Sequence, residues 1–263
     1  MRRRSWWLAI GLLAAAMPER EAVADQTVRG PRNELIVFGL NGGFADYPRR
    51  ADRTLSFHYY YAASPSVKLF AEAGMHRRFE ANDQSAGAGV YFNLDRENFF
   101  YAYGSVGINA EQIPIVDVTG EYTRLVVPRV TAGVGYRYVH FTDETVHMAL
   151  PSFSLYTFPR WTMTSRFYIS YLQSTADVRL SYLLQVYYDV SESFVPLIWY
   201  SVGSEAYRGG TVEDVRSAYS WAIGAGAKAT LSRWLRLRLG YEYLYRIGVY
   251  HQHTLTLAFS VLW

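Results

Sequence analysis

The last ten residues of this chain constrain its fold more than any other segment. Counting back from the final tryptophan, every second residue is large and apolar: Trp263, Val261, Phe259, Leu257 and Leu255. The residues between them are mostly small or hydroxylated. A period of two predicts a β-strand with one apolar face. An apolar face that ends on an aromatic residue is typical of the last strand of a bacterial outer-membrane β-barrel, where that face meets lipid.

A closed barrel requires its last strand to pair with its first, so the terminal strand has a role in assembly as well as in stability. We expect the surrounding outer-membrane lipid and the barrel-assembly machinery to be partners of this strand. The predicted assembly signal consists of Leu257, Phe259, Val261 and Trp263.

The beginning of the chain predicts an export signal. Arg2, Arg3 and Arg4 form a basic start, residues 6–17 are an unbroken run of twelve apolar and small residues, and residues 22–24 have the A-x-A pattern of a signal-peptidase site. Twelve residues are too few for a transmembrane helix, which needs about 20. A short buried helix would explain neither the arginines nor the cleavage pattern. We therefore expect a signal peptide at 1–24, a periplasmic linker at 25–33 and a barrel at 34–263.

Composition excludes several classes of function. The chain has no cysteine, so disulfides, thiolate chemistry and cysteine-based metal sites are excluded. Its formal net charge is +3, and leaving out the predicted leader brings the balance close to neutral, so nothing argues for a nucleic-acid partner. Aromatic residues make up 17% of the chain, with 23 tyrosines. Tyrosine suits a membrane interface because its ring is apolar and its hydroxyl is polar.

The body of the chain alternates between strand-like segments and turn-like connections. The segments are centred near Leu40, Phe57, Ala71, Gly89, Tyr103, Val118, Gly135, Pro151, Arg166, Tyr182, Trp199, Gly224, Gly240 and Ala258. An even number of strands is expected of bacterial barrels. The sequence therefore predicts an all-β fold, a transmembrane antiparallel β-barrel of about fourteen strands within a range of roughly twelve to sixteen.

The segment 234–246 shows which face of a strand meets which medium. Leucines and tyrosines alternate along one face, and the other face carries Arg236, Arg238 and Glu242. An arginine that faced lipid would cost roughly 2–4 kcal/mol at the bilayer midplane, so the charged face is expected to line the lumen. A soluble β-sandwich is the alternative, with the apolar faces buried and the polar faces in water. The predicted leader and the recurring tyrosines favour the barrel.

Charged residues on the predicted luminal faces form the candidate functional set. They are Lys68, Glu72, Arg137, Arg166, Arg179, Glu205, Arg236, Arg238 and Glu242. Guanidinium groups bind carboxylates and phosphates through two hydrogen bonds, so the set predicts a polar, arginine-lined pore for a hydrophilic, anionic solute. Arginines outnumber acids on the best-defined segments, so we expect the lumen to prefer anions. The alternative is internal ion pairing in a closed structural or surface-interaction barrel.

Metal and catalytic sites have little support in the sequence. His140 and His147 flank a short loop and His251 and His253 share one strand face, but a metal site normally needs a third or fourth ligand. A hydrolase needs a serine beside a histidine, and the odd spacing of His147 and Ser152 puts their side chains on opposite faces of a strand. We expect no metal, no cofactor and no enzymatic activity, and an outer-membrane hydrolase is the third hypothesis.

Three stretches of the chain resemble the YaiO-type family of outer-membrane β-barrel proteins. They are 128–138 followed by Phe141 and Asp143, 159–161 leading into 166–170, and 203–205. The resemblance rests on spaced aromatic residues, glycines and arginines. It implies a barrel in the outer membrane of a bacterial cell. It also implies a link, seen in some members, with envelope polysaccharide export and with a periplasmic helical-repeat partner.

Overall fold

Strand segments make up most of the protein. The structure, a computed structural model, describes residues 33–45, 51–78, 81–158, 160–204, 219–247 and 250–263. In chain order its segments are β1 (Glu34–Ala45), β2 (Ala51–Ser64), β3 (Val67–Arg78), β4 (Ala81–Asn93), β5 (Asn98–Ile108), β6 (Val116–Val127), β7 (Val130–His140), β8 (Thr145–Ala149), β9 (Ser152–Phe158), β10 (Trp161–Leu172), β11 (Asp177–Tyr188), β12 (Phe194–Ser204), β13 (Tyr219–Ser232), β14 (Leu235–Arg246) and β15 (Tyr250–Leu262). Within the described part of the chain, no helix is long and apolar enough to cross a membrane. The predicted signal peptide, the linker up to residue 32 and Glu205 lie outside the described residues.

The strands form one antiparallel sheet that closes on itself, which confirms the predicted fold class. β1 pairs with β2 on one side and with β15 on the other. Glu34 lies opposite Leu262 at one end of this seam, and the backbones of Asn33 and Trp263 exchange two hydrogen bonds of 3.2 Å. The terminal strand therefore completes the barrel, as its alternating pattern predicts. Closure gives hydrogen-bond partners to the backbone N–H and C=O groups of β1 and β15, which lipid could not provide.

Two of the segments, β8 and β9, occupy a single position in the barrel. Both pair with β7 and β10, and the register continues unchanged from β8 to β9, with Ala149 opposite Tyr136 and Ser152 opposite Gly133. The interruption falls at Pro151, which has no N–H group to donate to the sheet. The barrel thus has fourteen strand positions, and the fourteen predicted segment centres fall one in each of them.

The two ends of the barrel differ in their connections. At one end the strands are joined by tight turns, as at 65–66 and 128–129, and both Asn33 and Trp263 lie at this end. The longest described connection, 109–115, lies at the other end. Short turns face the periplasm in bacterial barrels, so the first is called the turn end and the second the loop end.

The turn between β4 and β5 shows how local sequence determines a connection. Oδ1 of Asp95 accepts hydrogen bonds from the backbone N–H groups of Glu97 at 2.7 Å and Asn98 at 2.8 Å. This is the local side-chain pairing that makes aspartate a frequent turn residue. The backbone N–H of Glu97 and the side chain of Asn98 both favour the charged form, which holds the pKa of Asp95 below its ordinary value.

Burial separates the two faces of the wall. On β14, Arg236, Arg238 and Glu242 are buried, whereas Leu239 and Tyr241 are exposed. The exposed face is the outer wall, which meets lipid, and the buried face is the lumen. Exposed aromatic residues lie on the outer wall at the turn end (Trp161, Trp234, Trp263) and at the loop end (Tyr171, Tyr219). Two such girdles mark the two membrane interfaces of an outer-membrane barrel.

Candidate functional site in the barrel lumen

Two of the predicted luminal arginines are held by buried carboxylates. Arg166 binds Glu121 through two hydrogen bonds, Nη1 to Oε1 at 2.9 Å and Nη2 to Oε2 at 2.7 Å. Arg137 binds Asp117 in the same way, Nε to Oδ1 at 3.0 Å and Nη2 to Oδ2 at 2.6 Å. Paired, charge-assisted hydrogen bonds of this kind are among the strongest in proteins. Each pair neutralises its own charge inside the lumen.

Small residues let the first of these pairs form between strands that are not neighbours. Arg166 lies on β10 and Glu121 on β6, with β7 and β9 between them. The luminal side of the intervening strands carries Gly135 and Ser152 near the pair. A Cβ atom at Gly135 would lie 2.5 Å from Cγ of Glu121. The absence of a side chain at this position therefore leaves the room that the long side chains occupy.

A second charged group lies near the turn end of β14. Nη1 of Arg236 is 3.1 Å from Oε2 of Glu34, and Nη2 of Arg238 is 2.8 Å from Oε1 of the same carboxylate. Lys228 lies opposite Arg238 in the register of β13 and β14. Two arginines thus share the single carboxylate of Glu34, so this group of three side chains is locally positive.

The remaining predicted residues lie in separate parts of the lumen. Glu72 accepts a hydrogen bond from the Tyr103 hydroxyl and is 3.3 Å from Nδ1 of His58. The ammonium of Lys68 lies 5.2 Å from the centroid of the Tyr60 ring.

Towards the loop end, Nη2 of Arg179 is 3.5 Å from Oδ2 of Asp177. Farther along the lumen, Glu242 accepts a hydrogen bond from Trp199. The structure thus distributes the predicted charges over several groups and does not gather them into one track.

The carboxylates Glu34, Asp117 and Glu121 were not predicted as luminal, and they change the electrostatic interpretation. Each faces an arginine that the sequence suggested was unopposed. The expected surplus of positive charge is therefore largely cancelled in the described lumen. On β6 a signal was available, because polar residues alternate from Asp117 to Thr123 and so share one face.

Apolar side chains occupy much of the lumen at the loop end. The apolar luminal cluster consists of Val139, Phe141, Val146, Met148, Leu150, Tyr168, Leu172, Leu183, Leu197 and Trp199, all buried. Its members come from β7, β8, β10, β11 and β12 and from the connections beside β8. Apolar constrictions in channels gate by dewetting, so we expect this cluster to form a dry constriction that excludes water and ions. The sequence does not reveal this cluster, because its pattern does not separate these residues from the apolar residues of the outer wall.

Two buried carboxylates tie down connections at the loop end. Asp83 accepts hydrogen bonds from the backbone N–H groups of Glu111, Gln112 and Ile113 at 2.9–3.1 Å. Glu144 accepts hydrogen bonds from the backbone N–H groups of Thr145 at 2.9 Å and of residue 174 at 3.0 Å. Hydrogen bonds to buried carboxylates hold backbone firmly, so these connections are fixed over the loop end.

The turn-end half of the lumen contains a cavity of about 160 Å³. Tyrosines, an ion pair and a lysine line it, from Arg166 and Glu121 at mid-height to Asp189 near the turns. We call this space the turn-side cavity. Its principal lining residues are Tyr91, Tyr101, Tyr156, Tyr187, Glu121, Arg166, Thr131, Ser152, Ser154 and Lys228.

The histidines weighed as metal ligands have other partners. His253 is 2.8 Å from the Tyr241 hydroxyl and His251 contacts Tyr243, both pairs on the outer wall. His140 is 2.9 Å from Oγ1 of Thr145. Among the residues that the structure describes, no group of three or more His, Asp or Glu side chains could hold a metal ion.

Comparison with known families shows to which protein family this chain belongs. The family model described as the YaiO membrane beta barrel domain matches residues 37–208, well over half of the sequence. The chain belongs to the YaiO family. The resemblance identified from spaced aromatics, glycines and arginines is thereby confirmed, and the YaiO barrel is a protein of the bacterial outer membrane, as predicted.

Solved structures similar to this YaiO barrel are also outer-membrane barrels. The CymD monoaromatic hydrocarbon channel matches with a TM-score of 0.61 and 9% identity, covering 97% of this chain and 94% of that one. A bacterial polysaccharide outer membrane secretin matches with a TM-score of 0.55 and 12% identity, covering 88% and 97%. An outer-membrane channel from Pseudomonas putida F1 matches with a TM-score of 0.54 and 9% identity, covering 89% and 96%. At these identities the likeness shows the fold alone, which is that of an outer-membrane β-barrel. No curated protein matches the sequence.

Proposed function

We propose that this YaiO-family barrel is an outer-membrane channel for a hydrophilic, anionic solute of the class of acidic envelope polysaccharides. The observation that carries the proposal is the turn-side cavity, in which tyrosine rings converge with two cationic and two acidic side chains. The cavity lies at the end of the barrel that faces the periplasm, so the solute enters there. Passage through the loop end requires a rearrangement of the apolar luminal cluster.

The tyrosines of the cavity suit a sugar chain. Tyr91 and Tyr101 lie with ring centroids 5.0 Å apart, and Phe70 stacks on Tyr101 at 6.0 Å with nearly parallel rings. Aromatic rings offer flat apolar surfaces and phenol hydroxyls offer hydrogen bonds at their edges. A sugar ring has the complementary properties, with apolar C–H faces and hydroxyls around its rim.

Charge supplies the preference for an anionic chain. Lys228 lines the turn-side cavity, and its neighbour Arg238 belongs to the group of cations around Glu34. The bidentate pair of Arg166 and Glu121 adds polarity at mid-height and little net charge. The charged residues that line the cavity balance, because Arg166 and Lys228 are matched by Glu121 and Asp189. The local excess of positive charge lies at Glu34, where two arginines share one carboxylate. A lumen with a low-dielectric wall focuses this field, which favours anions over cations.

A periplasmic partner fits this arrangement. The YaiO resemblance implies a helical-repeat partner in some members, and the cavity lies in the half of the barrel nearest the end at which such a partner would stand. We propose that binding at the turn end supplies the energy that displaces the apolar luminal cluster. One similar structure, a bacterial polysaccharide outer membrane secretin, supports the solute class by fold analogy.

Single-channel recording tests the proposal. Purified barrel in planar bilayers is expected to show an anion-selective reversal potential across a salt gradient, and oligogalacturonate added on the turn side is expected to block the current. Lys228→Glu should shift the reversal potential towards cations and weaken the block. Arg160→Glu is the matched control, because it makes the same change of charge at an exposed turn residue. Cation preference of the unmodified barrel would falsify the proposed solute class.

A second candidate function is a closed structural or surface-interaction barrel. The observations that favour it are the internal ion pairs and the apolar luminal cluster, which together occupy the lumen. Charge reversal of Arg236 and Arg238 distinguishes the two functions. A channel changes its ion selectivity, whereas a closed barrel loses stability and conducts nothing.

A further inference from the structure

Two exposed arginines lie directly opposite each other on the outer wall. Arg53 on β2 pairs in register with Arg77 on β3. Their neighbours Thr54 and His76 face the lumen, where Oγ1 of Thr54 lies 3.3 Å from Nδ1 of His76. Because side chains alternate along a strand, Arg53 and Arg77 both point away from the lumen. Two like charges thus occupy adjacent positions on the lipid side.

This arrangement is unfavourable unless something binds to it. Like charges directly opposite each other on an antiparallel pair are destabilising. Neither guanidinium has a hydrogen bond or an ion pair with any residue that the structure describes. The luminal arginines contrast with this pair, since Arg137 and Arg166 each have a carboxylate within 2.7 Å. The two exposed guanidiniums are therefore accessible to an anion from outside the barrel.

The position of the pair along the barrel identifies those surroundings. Arg77 lies ten residues beyond Val67, the first residue of β3 at the turn end. At about 3.3 Å per residue and a tilt of roughly 40°, it stands about 25 Å above the turn end. The apolar band of an outer-membrane barrel is about 25 Å tall, so the guanidiniums lie at the headgroup level of the outer leaflet.

We propose that Arg53 and Arg77 together bind a phosphate group of a glycolipid headgroup in the outer leaflet. Their Cα atoms are opposite neighbours on paired strands, so two guanidinium forks can bracket one phosphate. Asn82 lies opposite Arg77 on β4, is also exposed and adds an amide donor on the same side. One bound phosphate supplies hydrogen-bond acceptors to all three residues and removes the repulsion between the arginines.

The wall below the pair favours a lipid over a free phosphate ion. Met75 is 57% exposed and Phe57 is 41% exposed, and both lie on the outer wall on the turn-end side of the arginines. Acyl chains attached to the same headgroup would pack on this apolar surface. The site thus has a polar part at the level of a lipid headgroup and an apolar part at the level of its acyl chains.

A thermal-shift experiment on the full-length protein in a non-ionic detergent tests the site. Unfolding is followed by the heat-dependent mobility of the barrel on electrophoresis, with added lipid A carrying both phosphates, with dephosphorylated lipid A, or with inorganic phosphate. The phosphorylated lipid should stabilise the unmodified barrel most. In Arg53→Gln/Arg77→Gln its apparent affinity should fall by about tenfold or more.

A matched control is available at the other membrane interface. Arg124 on β6 is exposed on the outer wall near the turn end, and Arg124→Gln should leave the response to phosphorylated lipid A unchanged. Without lipid, Arg53→Gln/Arg77→Gln should be at least as stable as the unmodified barrel, because it removes like-charge repulsion. The double variant should thus respond less to the lipid while being no less stable without it. This combination separates a loss of lipid binding from a general loss of folding.

Three outcomes would overturn the inference. The first is an equal response of the unmodified and doubly substituted barrels to phosphorylated lipid A. The second is equal stabilisation by the dephosphorylated lipid, which would assign the effect to acyl chains alone. The third is equal stabilisation by inorganic phosphate, which would reduce the pair to an adventitious anion site. None of these outcomes bears on whether the lumen conducts.

Discussion

Nε1 of Trp199 donates a hydrogen bond of 2.7 Å to Oε2 of Glu242, and the two residues lie on strands separated by β13. Gly224 occupies the position between them, opposite both residues in the register. A Cβ atom at Gly224 would lie 2.0 Å from Cζ2 of Trp199. The indole therefore lies across the backbone of β13 and supplies the buried carboxylate with a donor, which burial of a charge requires.

Gly224→Ala is expected to destabilise the barrel. The added methyl group displaces the indole of Trp199, and Glu242 then loses a hydrogen bond in a buried position, a loss of roughly 1–3 kcal/mol. Urea unfolding of the refolded barrel, followed by tryptophan fluorescence, measures the change. Gly120→Ala is the control, because a Cβ atom at Gly120 meets nothing within 4 Å. Equal stability of the two variants would contradict the proposed packing.

The pair of Arg166 and Glu121 should show strong coupling. Arg166→Met leaves the Glu121 carboxylate buried without its partner, and breaking a buried pair in this way costs roughly 3–5 kcal/mol. Arg166→Met combined with Glu121→Leu should cost much less than the sum of the two single substitutions, because no unpaired charge remains. A double-mutant cycle on the free energy of unfolding measures the coupling. Additive effects would show that water in the lumen already screens the pair.

Trp263 is expected to be needed for barrel assembly. Its ring stacks on Tyr59 with centroids 6.0 Å apart, and its backbone exchanges hydrogen bonds with Asn33 at the seam between β1 and β15. Trp263→Glu places a charge at the membrane interface and should reduce the amount of folded barrel in the membrane. Trp263→Phe, which keeps an aromatic ring, should assemble normally. Protease resistance of membrane fractions measures folded barrel, and normal assembly of Trp263→Glu would disprove the role.

Opening the apolar luminal cluster should raise conductance if the barrel is a channel. Met148→Ala combined with Leu172→Ala removes two fully buried side chains at the loop end, at roughly 2–5 kcal/mol of stability each. Single-channel conductance is expected to increase about twofold or more as the dry constriction becomes wet. Val134→Ala, an exposed position of the outer wall, is the control. Loss of stability without any current would favour the closed structural barrel.

Export should remove the predicted leader. Mass analysis of the protein extracted from outer membranes is expected to find Asp25 as the first residue, because residues 22–24 have the small-residue pattern of a signal-peptidase site. Ala24→Leu should block cleavage and leave the leader attached. Recovery of an uncleaved Met1 from the unmodified protein would refute the processing site and the boundary of the predicted linker.

The architecture could be predicted because its determinants are local. Period-two alternation in the sequence predicts the number of strands and the face of each strand that meets lipid. The pattern that ends at Trp263 identifies the strand that closes the barrel. Even the irregular eighth position was found, since its predicted centre is Pro151, where the missing N–H interrupts the strand. A strand keeps its own alternation whatever its neighbours are, so these features need no knowledge of tertiary contacts.

The contents of the lumen were decided by tertiary structure. Arg238 meets Glu34 from 204 residues away and Arg166 meets Glu121 from 45 residues away, in each case across at least one intervening strand. Which side chains meet depends on the stagger of the closed sheet and on gaps at small residues such as Gly135. Alternation in the sequence predicts that a side chain points into the lumen. It does not predict which other side chains it contacts there. Charge neutralisation and the apolar luminal cluster arise only when closure brings distant inward faces within contact distance.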